Sequence, residues 1–196
     1  MSVASMSAHE PASEQPAVER PPLVELLPTG TLRTLTGAAM VAAVVASFAT
    51  FGLSGRALVG AVLAPVLVLL TSIDARHRLL PNTIVFPAIL AVGVIVAASS
   101  PGSFPGHLAV GAAMGGFFFA FAAFFPGSLG MGDAKLVFLL GLALGSRAFG
   151  ALFLAFVALL VAALYVVAKR GAAARKETIP FGPFLALGGL VVFFLG

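Results

Sequence analysis

The 196-residue sequence contains no cysteine, and only 9% of its residues are charged. The absence of cysteine excludes disulfide bonds and thiolate metal sites. The charged fraction is far below the roughly one quarter that is typical of soluble domains. A water-exposed globule of this composition would have too few polar side chains to cover its surface, whereas a membrane protein needs no such cover.

Hydrophobic residues make up 60% of the chain and recur in long runs from about residue 35 onward. Many runs approach the roughly 20 residues that cross a bilayer as a helix, and they lack the alternation typical of a β-barrel. We therefore predict an all-α, polytopic helical membrane protein with about six to seven transmembrane helices. The predicted spans are 35–53, 57–73, 83–99, 108–125, 135–146, 148–168 and 181–196.

Residues 1–34 differ from the rest because they hold four of the seven acidic residues and five prolines. This composition predicts a disordered aqueous tail. It does not have the charge and apolar pattern of a secretory signal peptide. We therefore divide the chain into a polar N-terminal tail, 1–34, and a transmembrane domain, 35–196.

The basic residues predict which side of the membrane each loop faces. With the tail in the cytoplasm, only Arg56 and Arg147 lie outside, as the positive-inside rule requires. The basic residues placed inside are Arg20, Arg33, Arg76, Arg78, Lys135, Lys169, Arg170, Arg175 and Lys176. These loop charges account for the net charge of +4. Since no long basic stretch with interleaved aromatics occurs, we predict no nucleic-acid partner.

Beyond the tail the chain has just three carboxylates, Asp74, Asp133 and Glu177. Glu177 adjoins two basic residues and is predicted to be a solvated loop charge. Asp74 follows the second span and Asp133 precedes the fifth, where an unpaired charge is costly and usually marks function. Two spans lie between the aspartates, so both return to the same, cytoplasmic, side.

Two neighbouring carboxylates in a poorly solvated site share a proton. The ionised one can act as general base toward water, and the protonated one can donate to a substrate carbonyl. This is the chemistry of aspartic peptide hydrolysis. Three alternatives stay open: Asp74 as a helix-end charge pairing with Arg76 or Arg78, Asp133 as a helix N-cap, and the pair as the relay of a proton- or cation-coupled membrane transporter.

Other catalytic arrangements have less support. Ser72 and Thr71 have no convincing base on their helix. The histidines are His9, His77 and His107, and no HExxH motif occurs, which excludes that class of zinc site.

Gly111 and Gly115 form a small-xxx-small pattern, which can let two helices approach closely. Alanine and glycine are abundant throughout this chain, so we favour ordinary composition as the explanation.

Three segments resemble motifs of the type IV prepilin peptidases, which are GxGD intramembrane aspartyl proteases. GMGDAKL (130–136) resembles their GxGDxKL motif, and DARHRLLPNTI (74–84) resembles their first-aspartate segment. IPFGPFLALGG (179–189) is similar to the segment that opens their last helix. The resemblance covers roughly residues 58–196. The signal peptide peptidase and presenilin branch is less similar, because Asp74 follows Ile73 rather than a tyrosine.

The resemblance implies that Asp74 and Asp133 are the catalytic pair of an aspartic endopeptidase. It implies a multi-pass protein of the bacterial cell membrane that cuts prepilin-like substrates, pilins or pseudopilins with a basic leader and an apolar helix, at the cytoplasmic face. Residues expected to support the site are Gly130, Gly132, Lys135, Pro180, Phe181, Gly182 and Pro183. Many relatives also methylate their product through a region with zinc-binding cysteines. The absence of cysteine predicts a peptidase-only form with no metal or cofactor.

For several of these residues we also predict a conformation or a role. Gly130 and Gly132 are expected to approach a substrate closely or to adopt a positive φ, although a flexible turn is an equal alternative for Gly130. Asn82 is expected to cap the third span. Lys135 either extends to lipid headgroups or approaches the active site, and both possibilities stay open. Pro180 and Pro183 are expected to interrupt the backbone beside the site or simply to begin a helix.

Overall fold

The computed structural model describes residues 22–125, 130–171 and 179–196, most of which are helical. The helices are α1 Leu23–Leu26, α2 Gly30–Phe51, α3 Gly55–His77, α4 Asn82–Ser99, α5 Phe104–Phe124, α6 Met131–Leu144, α7 Ala148–Arg170 and α8 Gly182–Leu195. Five helical segments are long and apolar enough to cross a membrane, with Met131–Arg170 counted as one, and α8 is a shorter apolar helix. The predicted fold class, a polytopic helical membrane protein, is confirmed.

The segment Met131–Arg170 reverses direction in its middle. Gly145 has a φ of 59° and ends α6, and a 3-10 turn, Gly145–Arg147, leads into α7. Phe156 of α7 stacks on Phe181, just before α8, whereas Gly150 near the start of α7 faces Val192 near the end of α8. Helix α7 is therefore antiparallel to α8. The seven helices α2 to α8 correspond one to one to the seven predicted spans.

Helix α6 forms the centre of the bundle. Nearly all of its residues from Asp133 to Leu144 are buried, including Leu136, Leu139 and Leu140. It packs against α4, α5, α7 and α8. Its apolar character on all faces is the pattern expected of a helix that is surrounded by others.

Glycines allow α5 and α6 to pack closely. A Cβ at Gly141 would lie 2.5 Å from Gly111 Cα, and one at Gly115 would lie 2.6 Å from Phe138 Cβ. In a bilayer, where lipid tails are as apolar as leucine, such close contact drives helix association. The small-xxx-small pattern is thus a true helix interface, and our preference for ordinary composition was wrong.

Several helix boundaries differ from those expected, and three of them change an assignment made above. Helix α2 begins at Gly30, so residues 30–34, assigned above to the tail, are helical. Helix α3 continues to His77 and α6 begins at Met131, which places both aspartates inside helices. Residues 1–21 lie outside the described part of the chain, so the disorder of the tail stays a prediction.

The bundle has two ends with different chemistry. We call the end that holds Asp74 and Asp133 the Asp end, and the end that holds Arg56 and Arg147 the Arg end. Each of the antiparallel helices runs from one end to the other, and α6 alone covers roughly 21 Å between them.

Candidate active site

Asp74 lies one turn before the C-terminus of α3 and is only 5% exposed. The helix ends at Arg78, which adopts the left-handed conformation with a φ of 52° and donates its backbone N–H to Asp74 O at 2.9 Å. Few non-glycine residues adopt this conformation. The Arg78 charge lies close enough to interact with the Asp74 carboxylate. The end of α3 therefore holds Asp74 just inside the bundle.

Asp133 lies in the first turn of α6 and is 9% exposed. Gly130 is the N-cap residue, and its backbone is hydrogen-bonded to the Asp133 carboxylate. This is the geometry of the carboxylate in a capping box, in which a side chain at the third helical position reaches back to the N-cap N–H. Asp133 is therefore not the N-cap residue itself, as one alternative supposed.

The two aspartates line one cavity of about 550 Å³ at the Asp end. They are near enough for their charges to interact. The sequence expectation that two intervening spans bring them to the same end of the molecule agrees with this placement. Two carboxylates that are withdrawn from solvent but open to a cavity form an arrangement suited to general acid/base chemistry.

The start of α8 completes the surroundings of Asp74. The Gly182 backbone N–H donates to Asp74 Oδ2 at 3.1 Å. A Cβ at position 182 would lie 2.6 Å from that same oxygen, so a larger residue would collide with the carboxylate. Phe181 is buried and stacks on Phe156 with ring centroids 5.3 Å apart, which fixes the start of α8 against α7.

Lys135, whose role was open, connects α6 to α4. Its Nζ donates to Asn82 Oδ1 at 2.7 Å and lies 5.1 Å from the centroid of the Phe86 ring. Both Lys135 and Asn82 line the cavity. Asn82 begins α4, but Pro81 is the N-cap residue and makes no side-chain capping bond, so the expected role of Asn82 as a cap is wrong. Its side chain binds Lys135 instead.

Gly130 and Gly132 do not need a positive φ. Gly130 has a φ of −73°, and Gly132 lies within α6. A Cβ at Gly132 would lie 2.7 Å from Leu80 Cβ, and one at Gly130 would lie 3.1 Å from Asp133 Oδ2. The absence of a side chain at Gly132 lets the loop after α3 pass close to the start of α6, and the expected close approach of these glycines to a substrate stays a prediction.

The other predicted supporting residues, Pro180 and Pro183, lie just before α8 and in its first turn. Pro183 is in the first turn of α8, a position where proline is readily accommodated. Pro180 precedes that helix and is partly buried.

The hydroxyls of Thr71 and Ser72 donate to Leu67 O and Leu69 O of their own helix. Neither hydroxyl therefore has the geometry of an activated nucleophile.

Sequence reasoning missed the N-terminal contribution to the cavity. Pro22, Leu23 and Leu26 line it beside the aspartates, and Leu26 is only 5% exposed. The sequence signal was the largely apolar stretch LVELL (23–27) within an otherwise polar tail. Among residues 22–125, 130–171 and 179–196, no group of three or more His, Asp or Glu side chains is arranged to hold a metal ion.

Comparison with known proteins finds the same family that the sequence motifs resemble. Residues 61–167, more than half of the chain, match the type IV leader peptidase family. A prepilin leader peptidase/N-methyltransferase of Burkholderia pseudomallei (strain 1026b) is 34% identical over 86% of this chain and 56% of its own length. The protein of the same description from Bacillus subtilis (strain 168) is 32% identical over 74% of this chain and 59% of its own.

The chain thus spans a little over half the length of these relatives. No solved structure matches it significantly. The family match covers both aspartates, all of α6 and α3 from residue 61 onward. The chain belongs to the type IV leader peptidase family.

Proposed function

We propose that this protein is an aspartic endopeptidase that removes the leader from prepilin-like proteins, with Asp74 and Asp133 as its general acid/base pair. The observation that carries the proposal is the convergence of two buried carboxylates, from α3 and α6, on one open cavity. Membership of the type IV leader peptidase family supports the reaction class. Of the two activities in the relatives' description, the proposal includes only the peptidase.

The proposed reaction needs one water molecule between the carboxylates. The ionised carboxylate takes a proton from this water while the water oxygen attacks the scissile carbonyl carbon. At the same time the protonated carboxyl group donates its proton to the carbonyl oxygen. In the collapse of the resulting tetrahedral diol, the carboxylate that is now ionised takes a proton from one diol hydroxyl as the C–N bond breaks, and the other carboxyl group donates its proton to the leaving nitrogen. Gly182 N–H and the Gly130 backbone hold the two carboxylates in place through these steps.

The position and lining of the cavity support a substrate that binds at the point where its membrane helix ends. The aspartates lie at an end of the bundle, and apolar side chains of Leu23, Leu26 and Met131 lie beside them in the lining. A leader that leaves an apolar helix at this level would present its backbone to the carboxylates. We therefore propose substrates with a basic leader followed directly by an apolar helix.

The charge distribution supports a cytoplasmic location for the Asp end in a bacterial cell membrane. The described basic residues at that end are Arg33, Arg76, Arg78, Lys135, Lys169 and Arg170. Arg56 and Arg147 alone among the described arginines and lysines are at the other end. This asymmetry agrees with the positive-inside rule.

The experiment that tests the function is cleavage by the purified protein in proteoliposomes. The substrate is a synthetic precursor with a short basic leader, a glycine and an apolar helix of about 20 residues. Mass spectrometry of the products should show a single cut at the junction between leader and helix. Absence of cleavage, or cuts scattered along the leader, would contradict the proposal.

Two controls separate the proposal from its competitors. Proton flux into the same proteoliposomes, abolished by Asp74→Asn or Asp133→Asn, would instead support the transporter. Cleavage should continue after treatment with a chelator, because the proposed chemistry uses only the two carboxylates. Loss of cleavage on chelation, with recovery on adding a divalent metal, would contradict a metal-independent mechanism.

A further inference from the structure

The Arg end contains a second cavity, of about 610 Å³, which the proposed peptidase reaction does not use. Its lining includes Arg56 in the first turn of α3, His107 in the first turn of α5, and Arg147 at the N-cap of α7. The N-termini of three long helices therefore meet there. The C-termini of α4, α6 and α8 line the same cavity through Ser99, Leu144 and Phe193, so the helix dipoles offset one another and the positive charge comes from the two arginines.

The two arginines are the exceptions to the charge asymmetry of the chain, and they converge on this one cavity. They are far apart in the sequence, yet their charges are close enough to interact. In the described part of the chain, no acidic side chain belongs to the cavity lining. The Arg147 side chain makes neither a hydrogen bond nor an ion pair with any other described residue. An anion would complement this concentration of positive charge.

Arg56 is held in a fixed orientation. Its Nη2 donates to Phe193 O at 2.9 Å and to Gly196 O at 2.8 Å, and its guanidinium lies 4.3 Å from the centroid of the Phe51 ring. A half-buried arginine whose position is fixed by α2 and α8 loses little side-chain entropy when it binds a ligand. Arg147 is exposed and lines the same cavity, so its side chain can reach the same ligand.

Small polar groups complete the cavity. His107 Nδ1 lies 2.9 Å from Leu142 O, which fixes the imidazole between α5 and α6. Ser100 and Ser146 line the cavity and add hydroxyl donors. Guanidinium groups and hydroxyls are donors that proteins use to bind phosphate.

We propose that the cavity formed by Arg56 and Arg147 binds a phosphate group. A membrane lipid is the source that the surroundings favour, because Leu58, Leu108 and Phe149 are exposed beside the lining residues and offer apolar surface to acyl chains. Free phosphate has the same binding chemistry and is distinguished by experiment. The proposal is independent of the peptidase reaction, since the cavity is at the opposite end of the bundle.

Binding to the full-length, detergent-purified protein tests this proposal. One arm titrates dioleoylphosphatidylglycerol and follows the bound lipid by native mass spectrometry, with dioleoylglycerol as the lipid that lacks phosphate. The second arm measures binding of inorganic phosphate by calorimetry. Both arms use the wild type, Arg147→Gln, and the matched control Arg33→Gln, which removes an exposed arginine at the Asp end.

Arg147→Gln should weaken binding of the phospholipid by about tenfold, the effect expected for one charge-assisted hydrogen bond, and Arg33→Gln should leave it unchanged. Arg147 is exposed, so its replacement should not impair folding. Binding of phosphatidylglycerol but not of inorganic phosphate supports a lipid headgroup. Binding of both, each weakened in Arg147→Gln, supports a general phosphate site. Equal affinity for dioleoylglycerol, or an unchanged affinity in Arg147→Gln, would overturn the proposal.

Discussion

Gly182 and Asp74 are joined by a backbone-to-carboxylate hydrogen bond of 3.1 Å, in a space that has no room for a Cβ at position 182. The bond links the first residue of α8 to the last turn of α3. A carboxylate that receives an N–H at a helix N-terminus is fixed in position as well as stabilised in charge. The PFGP segment is thus a positioning element for the first aspartate.

Gly182→Ala should lower the rate of leader cleavage strongly while leaving the protein folded. The added methyl would lie 2.6 Å from Asp74 Oδ2, so either α8 or the carboxylate must move. Misplacement of a catalytic group by about 1 Å can cost about 100-fold in rate. The measurement is kcat on the reconstituted substrate, and we expect a reduction of about 10- to 100-fold.

Gly116→Ala is the matched control for this experiment. Gly116 is on an exposed face of α5, and a Cβ there would have no neighbour within 4 Å. Its kcat should equal that of the wild type. Equal kcat values for Gly182→Ala and Gly116→Ala would show that the contact with Asp74 does not position the carboxylate.

Lys135 and Asn82 should contribute to stability as a coupled pair. Their 2.7 Å hydrogen bond joins α6 to α4 beside the cavity, and a hydrogen bond to a charged group contributes about 1.5–3 kcal/mol. Lys135→Met and Asn82→Ala should each lower the unfolding free energy, and the double variant should lose less than the sum of the two. Additive losses in this double-mutant cycle would argue against the pair.

The Lys135→Met variant also distinguishes a positioning role of Lys135 from a catalytic one. Lys135 contacts Asn82 and Phe86, not a group proposed to react. Cleavage by Lys135→Met should therefore fall by about tenfold or less, far short of the loss of about 100-fold or more expected when a general acid or base is removed. A loss as large as that of the aspartate variants would place Lys135 in the catalytic machinery.

Gly141→Leu should destabilise the bundle by separating α5 from α6. A Cβ at this position already lies 2.5 Å from Gly111 Cα, which is backbone and has no way to rotate aside. Overpacking of this kind costs about 1–3 kcal/mol or more. Thermal unfolding in detergent measures the effect, and Gly116→Leu, on the exposed face of α5, should unfold at the wild-type temperature.

The sequence was informative wherever composition or spacing determined the outcome. The apolar runs predicted seven helices, and the two spans between Asp74 and Asp133 predicted that the aspartates would lie at one end. Features that depend on contacts between distant segments were not predictable. Gly182 packs against Asp74 because of how α8 lies on α3, and Lys135 binds Asn82 because α6 lies on α4. Neither contact leaves a periodic signal in the sequence.

Local conformation was also hard to predict in two places. Asn82 is a good helix cap by residue type, but the preceding proline takes that position and frees the amide for Lys135. Gly130 and Gly132 suggested positive φ angles or close approach to a substrate, whereas neither has a positive φ and Gly132 packs too closely against Leu80 to carry a side chain. Residue type alone does not distinguish these two uses of glycine.

The initial rate of leader cleavage by Asp74→Asn and by Asp133→Asn tests the central claim most directly. Each change keeps the size of the side chain but removes its acid/base function. Glu177→Gln, which removes a carboxylate predicted to be a solvated loop charge, is the control. We predict that each aspartate variant loses activity by at least about 100-fold and that the control cleaves at the wild-type rate. A wild-type rate in either aspartate variant would contradict the assignment of Asp74 and Asp133 as the catalytic pair.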